Sequence, residues 1–406
     1  MKINHHHTAY NFLFLHIEEK YYFSLNCYHL MYNKAIYAIL AAVIALSLTT
    51  ASIPTTPAFS QVENGQSKTL RIGYFPNINH AQAVIGLGNG DFQRAIGDNV
   101  QVTTQIFNAG PSAIEALFAN QIDVTYIGPS PTINGYVRSG GEALRVISGA
   151  ASGGAVFVVR NDSGINSPQD LANKKFATPE LGNTQDVALR NYLLDNGYNT
   201  KDKGGNVEVL PVKKPDLVTL FLTKQIDGAW VPEPWGERLV REGGGKILVD
   251  ERDLWPPEGK FVTTHIIVNP NYLENNPDVI KKLLEANIDE TNWINNNKAA
   301  AIGAFNVELQ KLTGQTIAED VLNASLSRID FTYDPVRLSL FQDATDAYSL
   351  GFLPENPDVT GIYDLTILDQ VLQERGLPTI SGLGAPTGNA AAAANATDAF
   401  ISSDTG

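Results

Sequence analysis

Cysteine is almost missing from this 406-residue chain, which holds one, Cys27. With no second thiol there is no intrachain disulfide, no zinc ribbon and no paired redox cysteines. Past residue 60 only two histidines remain, His80 and His265, too few for a histidine-rich metal centre. No metal-ligand set, cofactor fingerprint, carboxylate pair or Ser/His/Asp spacing stands out. The stretch Gly86-Leu87-Gly88-Asn89-Gly90 is glycine-rich, but it follows a helix instead of opening one, which rules it out as a nucleotide loop. Base is scarce as well: 29 lysines and arginines face 43 acids, a formal net charge of −14. Such a balance suits neither nucleic acid nor an anionic membrane, so any attraction for an anion has to be local.

Long apolar runs are also few. Residues 35–48 are uncharged, follow Lys34 and precede a Thr/Ser/Pro-rich stretch, the three-part form of a secretory signal. The run is short for a bilayer span. Ala58-Phe59-Ser60 offers small residues for cleavage before Gln61, with an uncleaved N-terminal tether as the alternative. Residues 1–30 lack any periodicity and read as a misassigned extension ahead of a start at Met31, with 31–60 the signal peptide or anchor. The expectation is a secreted, cell-surface or periplasmic protein.

What the chain does contain is one outline written twice, 104 residues apart. Arg71-Ile72-Gly73-Tyr74, Asn79, Pro111, Gln121-Ile122-Asp123 and Tyr126-Ile127 recur as Lys175-Phe176-Ala177-Thr178, Asn183, Pro215, Gln225-Ile226-Asp227 and Trp230-Val231. The shared residues sit at element boundaries, where turn chemistry dictates them. Two similar α/β lobes imply a cleft, and clefts between lobes hold small ligands.

In lobe one the pattern predicts strands over 70–75, 100–107 and 124–127, and helices over 79–87, 112–120 and 130–138. Ser112-Ala113-Ile114-Glu115 reads as a capping box, and Ser130-Pro131 as a helix start with proline first. The apolar run 155–159 is taken as the first crossing to lobe two, and 261–268, containing His265, as the strand returning to lobe one. The boundaries drawn are 70–158 for lobe one, 159–264 for lobe two, 265–377 for the return with C-terminal helices, and 378–406 for a disordered low-complexity tail.

Helix starts near Asn79, Ser112, Ser130 and Asn183 fall at lobe edges, where free N–H groups and the helix dipole favour anions. Each residue serves equally as a cap of its own helix; only convergence on one cleft speaks for binding. The start near Asp216 is set aside because its carboxylate would repel an anion. Trp230 and Trp235 flank Val231-Pro232-Glu233-Pro234, a stiff stretch that makes an aromatic wall or a core, with Tyr74 and Tyr126 opposite. Glu233 is placed to accept from a ligand amine or to pair with an arginine such as Arg190. His80 and His265 are ligand contacts or structural histidines.

Gly73-Tyr74-Phe75-Pro76-Asn77-Ile78-Asn79-His80-Ala81, Asn108-Ala109-Gly110-Pro111-Ser112 and Tyr126-Ile127-Gly128-Pro129-Ser130-Pro131 resemble the sulfonate/nitrate/taurine-type substrate-binding proteins of ABC importers. Leu181-Gly182-Asn183-Thr184-Gln185-Asp186 and Asp227-Gly228-Ala229-Trp230-Val231-Pro232-Glu233-Pro234-Trp235 extend the likeness over about residues 70–355, closest to the aliphatic-sulfonate branch. The resemblance implies an α/β type II periplasmic-binding fold with two lobes, a two-segment hinge and a helical C-terminal part. It also implies a monomer that hands its ligand to a membrane permease and its ATPase. By the same likeness Asn77, Ser112, Ser130, Asn183, Thr184 and Gln185 are ligand contacts, with Trp230 and Trp235 packing beside them. The expected role is capture of an alkyl sulfonate or similar oxyanion, without metal, cofactor or chemistry. Two alternatives stand beside it: nitrate, taurine or a thiamine-type pyrimidine as ligand, and an enzyme using His80 with Glu233 or Asp186.

Overall fold

The computed structural model describes residues 68–380. The signal, the N-terminal extension and most of the tail lie outside the described residues. Among the described residues, no helix is long and apolar enough to cross a membrane.

In chain order the strands are β1 Lys68–Tyr74, β2 Val100–Ile106, β3 Val124–Ile127, β4 Arg145–Gly153, β5 Ala155–Arg160 and β6 Lys175–Thr178. They continue as β7 Glu208–Pro211, β8 Gly228–Pro232, β9 Gly245–Asp250, β10 Val262–Val268 and β11 Ile329–Phe331. The helices begin with α1 Ala81–Gly88, α2 Asp91–Ile96, α3 Gly110–Phe118, α4 Pro129–Arg138, α5 Thr184–Asp195 and α6 Lys214–Leu222. After them come α7 Trp235–Arg241, α8 Pro270–Asn275, α9 Pro277–Asn296, α10 Lys298–Thr313, α11 Glu319–Leu326, α12 Arg337–Ser349 and α13 Thr366–Glu374.

These strands form two sheets, ordered β11-β4-β10-β3-β1-β2 and β7-β6-β8-β5-β9. In the first, β2, β1 and β3 run parallel and β10 runs antiparallel to both β3 and β4; in the second, β7, β6 and β8 run parallel and β5 runs antiparallel to both β8 and β9. The 104-residue offset survives as geometry. Ile72 pairs with Val124 and Gly73 with Thr125, while Phe176 pairs with Gly228 and Ala177 with Ala229. Asp123 N donates to Arg71 O at 2.9 Å while its carboxylate accepts from Arg71 N at 2.8 Å. Asp227 repeats both bonds with Lys175, at 2.7 and 2.9 Å. The turn before each aspartate needs one left-handed residue, and Asn120 (φ 52°) and Lys224 (φ 59°) supply it at equivalent positions.

The chain leaves lobe one through Gly153 and Gly154, at φ 76° and 77°, where a Cβ would strike Arg328 O and the Ile329 side chain at 2.5 and 2.4 Å. Only glycine fits both the rotation and the space. The run 155–159 therefore belongs wholly to the second sheet, a few residues ahead of the boundary expected at 158. Strand β10 begins at Val262, within the returning strand expected over 261–268 and just before the lobe boundary drawn after 264. Lobe one buries Leu70, Ile72, Val124 and Tyr126 against Ile280 and Leu284 of α9; lobe two buries Phe157, Phe176 and Trp230.

Three local expectations need correction. Helix α3 starts at Gly110 with Ala109 as its cap, so Ser112 sits inside the first turn, its hydroxyl donating to Ala109 O at 3.0 Å, and no capping box forms. Helix α4 starts at Pro129 behind Gly128, placing Ser130 and Pro131 in the first turn. At the far end Ile380 is buried and donates its N–H to Asp369 Oδ1 at 2.8 Å, so residues 378–380 are docked, contrary to the expected tail.

Candidate functional site

The two lobes meet across a narrow seam. From lobe one come Phe75, Asn77, Asn79, His80, Ala109, Gly128 and Thr263; from lobe two come Asn183, Thr184, Gln185, Lys214 and Pro232. The lobes are shut, leaving ≈ 20 Å³ of free space, about the room of one or two ordered waters.

Each wall is built by a strand ending in a helix start. After β1, the backbone turns with Asn77 N donating to Phe75 O at 2.8 Å and His80 N to Asn77 O at 3.0 Å. That turn buries Asn79 and His80 at the seam. Opposite, α5 begins at Thr184, with Asn183 capping in extended geometry and its side-chain amide donating to Gln185 Oε1 at 2.8 Å. The N–H groups of Thr184 and Gln185 open the helix and have no carbonyl a turn earlier to bond. Asp186 secures this start by accepting from Thr178 Oγ1 and Gly182 N, both at 2.9 Å, and from Arg190 Nε at 3.1 Å.

Several polar atoms in the seam are buried and have no hydrogen-bond partner within the protein: Asn79 Oδ1, His80 Nδ1 and Thr184 Oγ1. An unpaired buried polar atom costs about 1–3 kcal/mol, so three together in one void mark a place suited to a polar solute. Burial, reinforced by Lys214, holds the His80 imidazole well below its ordinary pKa, so it is neutral.

Lys214 is the residue that sequence reasoning missed. It opens α6, is 3% exposed, donates to Asn108 O of the opposite lobe, and sets its ammonium 5.4 Å from the Phe75 ring centre. Burial lowers its pKa to about 7, partly opposed by Glu180. The repeat offset pairs it with Gly110, the first residue of α3, so the register pointed at the position. The objection to that helix start falls away, because Asp216 is exposed to solvent.

Other expected site residues lie elsewhere. Tyr74 is in the core of lobe one, and Tyr126 donates its hydroxyl to Asn287 Oδ1 at 2.9 Å. Trp230 is fully buried in lobe two, stacked on Phe157 at 5.3 Å and donating Nε1 to Glu251 Oε2 at 2.6 Å. Trp235 does reach across the lobes, donating to Asn77 Oδ1 at 3.3 Å, but it is not among the residues lining the void. Ser112 and Ser130 do not line it either; the Ser130 hydroxyl is buried without a protein partner. His265 is core, its Nε2 2.8 Å from Thr132 Oγ1, and burial takes its pKa to about 3. Glu233 accepts from Glu237 N at 3.0 Å, Ser325 Oγ at 3.1 Å and Arg328 Nη1 at 2.9 Å, while Arg190 pairs with Asp186 and Asp202. Both acids considered as partners for His80, Glu233 and Asp186, are thus occupied by structural bonds. Among the described residues no His/Cys/Asp/Glu group is arranged to hold a metal.

Residues 63–306 match the NMT1-like family. The chain belongs to that family. The taurine-binding periplasmic protein of Escherichia coli (strain K12) is 24% identical over 188 residues, 45% of this chain and 54% of that protein. A Bacillus subtilis (strain 168) relative named for aliphatic sulfonates is 22% identical over 317 residues, 77% of this chain and 90% of its own. The chain spans about half the length of the first curated relatives it matches, 53–54%. Among solved structures, the alkanesulfonate-binding protein SsuA from Xanthomonas axonopodis pv. citri, bound to MOPS, superposes with a TM-score of 0.61 at 17% identity, over 73% of this chain and 98% of SsuA. That likeness is one of fold, and the fold is the type II periplasmic-binding fold.

Proposed function

We propose that this protein is the solute-capture component of an ABC importer and takes a small organic oxyanion, with a short aliphatic sulfonate the preferred ligand. One observation carries the reading: the open N-terminus of α5 closes onto buried, unpaired polar atoms of the opposite lobe. Helix-start N–H groups favour an oxyanion by about 0.3–2 kcal/mol each way it is measured, and the Thr184 hydroxyl adds a donor. The apolar walls are only Phe75, Ala109 and Pro232, and both tryptophans lie off the void, so an organic tail has to be short. The amine or pyrimidine reading loses its carboxylate, since Glu233 is bonded to Arg328. The two acids considered as partners for His80, Glu233 and Asp186, are held in structural bonds, which favours capture without chemistry. The relatives named for taurine and aliphatic sulfonates support the ligand class, and the first, named as periplasmic, a place outside the cytoplasm.

Thermal unfolding with methanesulfonate, ethanesulfonate, taurine, nitrate and a pyrimidine tests this. A ligand of the folded state raises the midpoint in proportion to the logarithm of its concentration once saturating. The expected result is a rise with short sulfonates. A rise with the pyrimidine and none with any anion would overturn the reading.

A further inference from the structure

The void is lined by amides, hydroxyls, a neutral imidazole and a few apolar groups, and by one charged side chain, Lys214. A lysine this deeply buried needs a counter-charge, because desolvation of an unpaired ammonium is costly. Its surroundings do not provide a full one. Of its three donors, one meets the neutral carbonyl of Asn108. On one side is the Phe75 ring, an attraction weaker than a carboxylate. The acid that acts on it, Glu180, does not line the void, is only half-buried, and is itself pushed upward by burial and by Glu115. His80, the remaining titratable neighbour, is neutral. Lys213 and Asp216 on the same helix start are exposed.

The geometry adds a second point. Lys214 belongs to lobe two, yet the carbonyl and the ring it meets belong to lobe one. Asn108 also donates its side-chain amide to Pro179 O of lobe two at 3.4 Å. The shut lobes together therefore desolvate the ammonium.

Building on the anion-capture reading, we propose that Lys214 is the specificity-determining residue of the site: it restricts the closed protein to monovalent anions and makes closure depend on the anion that neutralises it. A divalent anion would bring a charge with no second cation to meet it. An aminosulfonate such as taurine would bring an ammonium into a void lined by no carboxylate, so a plain alkyl sulfonate of the same length binds more tightly. Between shut lobes and without an anion the buried lysine sheds its proton near neutrality, as its lowered pKa of about 7 indicates, whereas a bound anion retains it. Capture above neutral pH thus takes up a proton, and affinity falls by as much as about tenfold per pH unit there.

The test is calorimetric titration of the protein with ethanesulfonate, taurine and the uncharged ethyl methyl sulfone, from pH 6 to 9.5, in two buffers of different ionisation heat. Wild type should bind ethanesulfonate more tightly than taurine, bind the sulfone weakly, and take up close to one proton per anion above pH 8. Lys214→Met should lose roughly a hundredfold or more in ethanesulfonate affinity. Its sulfone affinity should be kept and its pH slope flattened. A merely structural lysine would leave proton uptake and the sulfonate-to-sulfone ratio unchanged. Unchanged affinity and slope in Lys214→Met, or no proton uptake by wild type, would overturn the proposal while leaving anion capture standing. Wild type that binds none of these anions would overturn the capture reading and this inference with it. The proton count needs no variant, so a misfolded Lys214→Met does not remove the test.

Discussion

At the scale of single residues, burial of ionisable groups is the feature with the clearest consequence. The unfolded chain keeps the Lys214 proton up to its ordinary pKa of 10.5, and the fold with its lobes shut loses it near 7. Between those values the unfolded state binds more protons, so stability should rise with pH through that window. Comparing melting temperatures of wild type and Lys214→Met from pH 6.5 to 10 should show the slope reduced in the variant. Glu251 acts with the opposite sign. Burial raises its pKa to about 7, so the fold holds a proton that the unfolded chain loses near 4.5, and stability from this group declines as pH rises from 4.5 to 7. Glu251→Gln, which keeps an acceptor for Trp230, should flatten that decline. The same physics explains what could be read beforehand. Asn183 was read from its helix start, Asn77, Thr184 and Gln185 from the family resemblance alone, and His80 was left open between ligand contact and structural histidine; all five line the seam. Trp230 and Tyr74 were misplaced because a strand end alternates between faces, and sequence alone does not say which face is core. Lys214 was missed because a neighbouring acid was assumed to face the same way.

At the scale of elements, the repeat is held by two aspartates that tie the first strand of each lobe to the start of the third. Asp123 and Asp227 each accept from a backbone N–H that would otherwise be orphaned in the sheet. Asp123→Ala and Asp227→Ala should each cost about 1–3 kcal/mol in denaturant unfolding. Asp123 also takes the Arg71 guanidinium and Asp227 that of Arg160, so neither loss should be absorbed by the other lobe. Strands β1, β3, β6 and β8 could be read because their apolar residues are bulky and β-branched or aromatic. Strand β4 was missed, since Gly149, Ala150, Ala151, Ser152 and Gly153 give no such pattern although all are buried. The small residues are required there: a Cβ on Gly149 would lie 2.1 Å from Asp334 O. Helix starts at α3 and α4 came out two residues and one residue late, because Pro111 and Pro129 already occupy the first turn.

At the scale of the molecule, two contacts decide how the lobes sit. Arg328, between α11 and β11, bridges the buried carboxylates of Glu233 and Glu237 at 2.9 and 3.0 Å and so fastens lobe two to lobe one. Burial raises the Glu233 pKa, and Arg328 and Ser325 oppose that shift. Arg328→Met should cost about 3–5 kcal/mol, because it leaves buried carboxylates unpaired. Gly128 of lobe one faces Thr184 of lobe two so closely that a Cβ would stand 2.3 Å from Thr184 Oγ1. Gly128→Ala should therefore leave each lobe folded yet cost closure about 1–3 kcal/mol, read as weaker sulfonate binding and a larger radius of gyration in the presence of ligand. The most direct measurement is the crystal structure of the protein grown with ethanesulfonate. The account predicts a sulfonate between the lobes, its oxygens within hydrogen-bond reach of the Thr184 and Gln185 N–H groups and of Lys214 Nζ. A sulfonate bound at any other place, or lobes shut with the solute excluded, would contradict it.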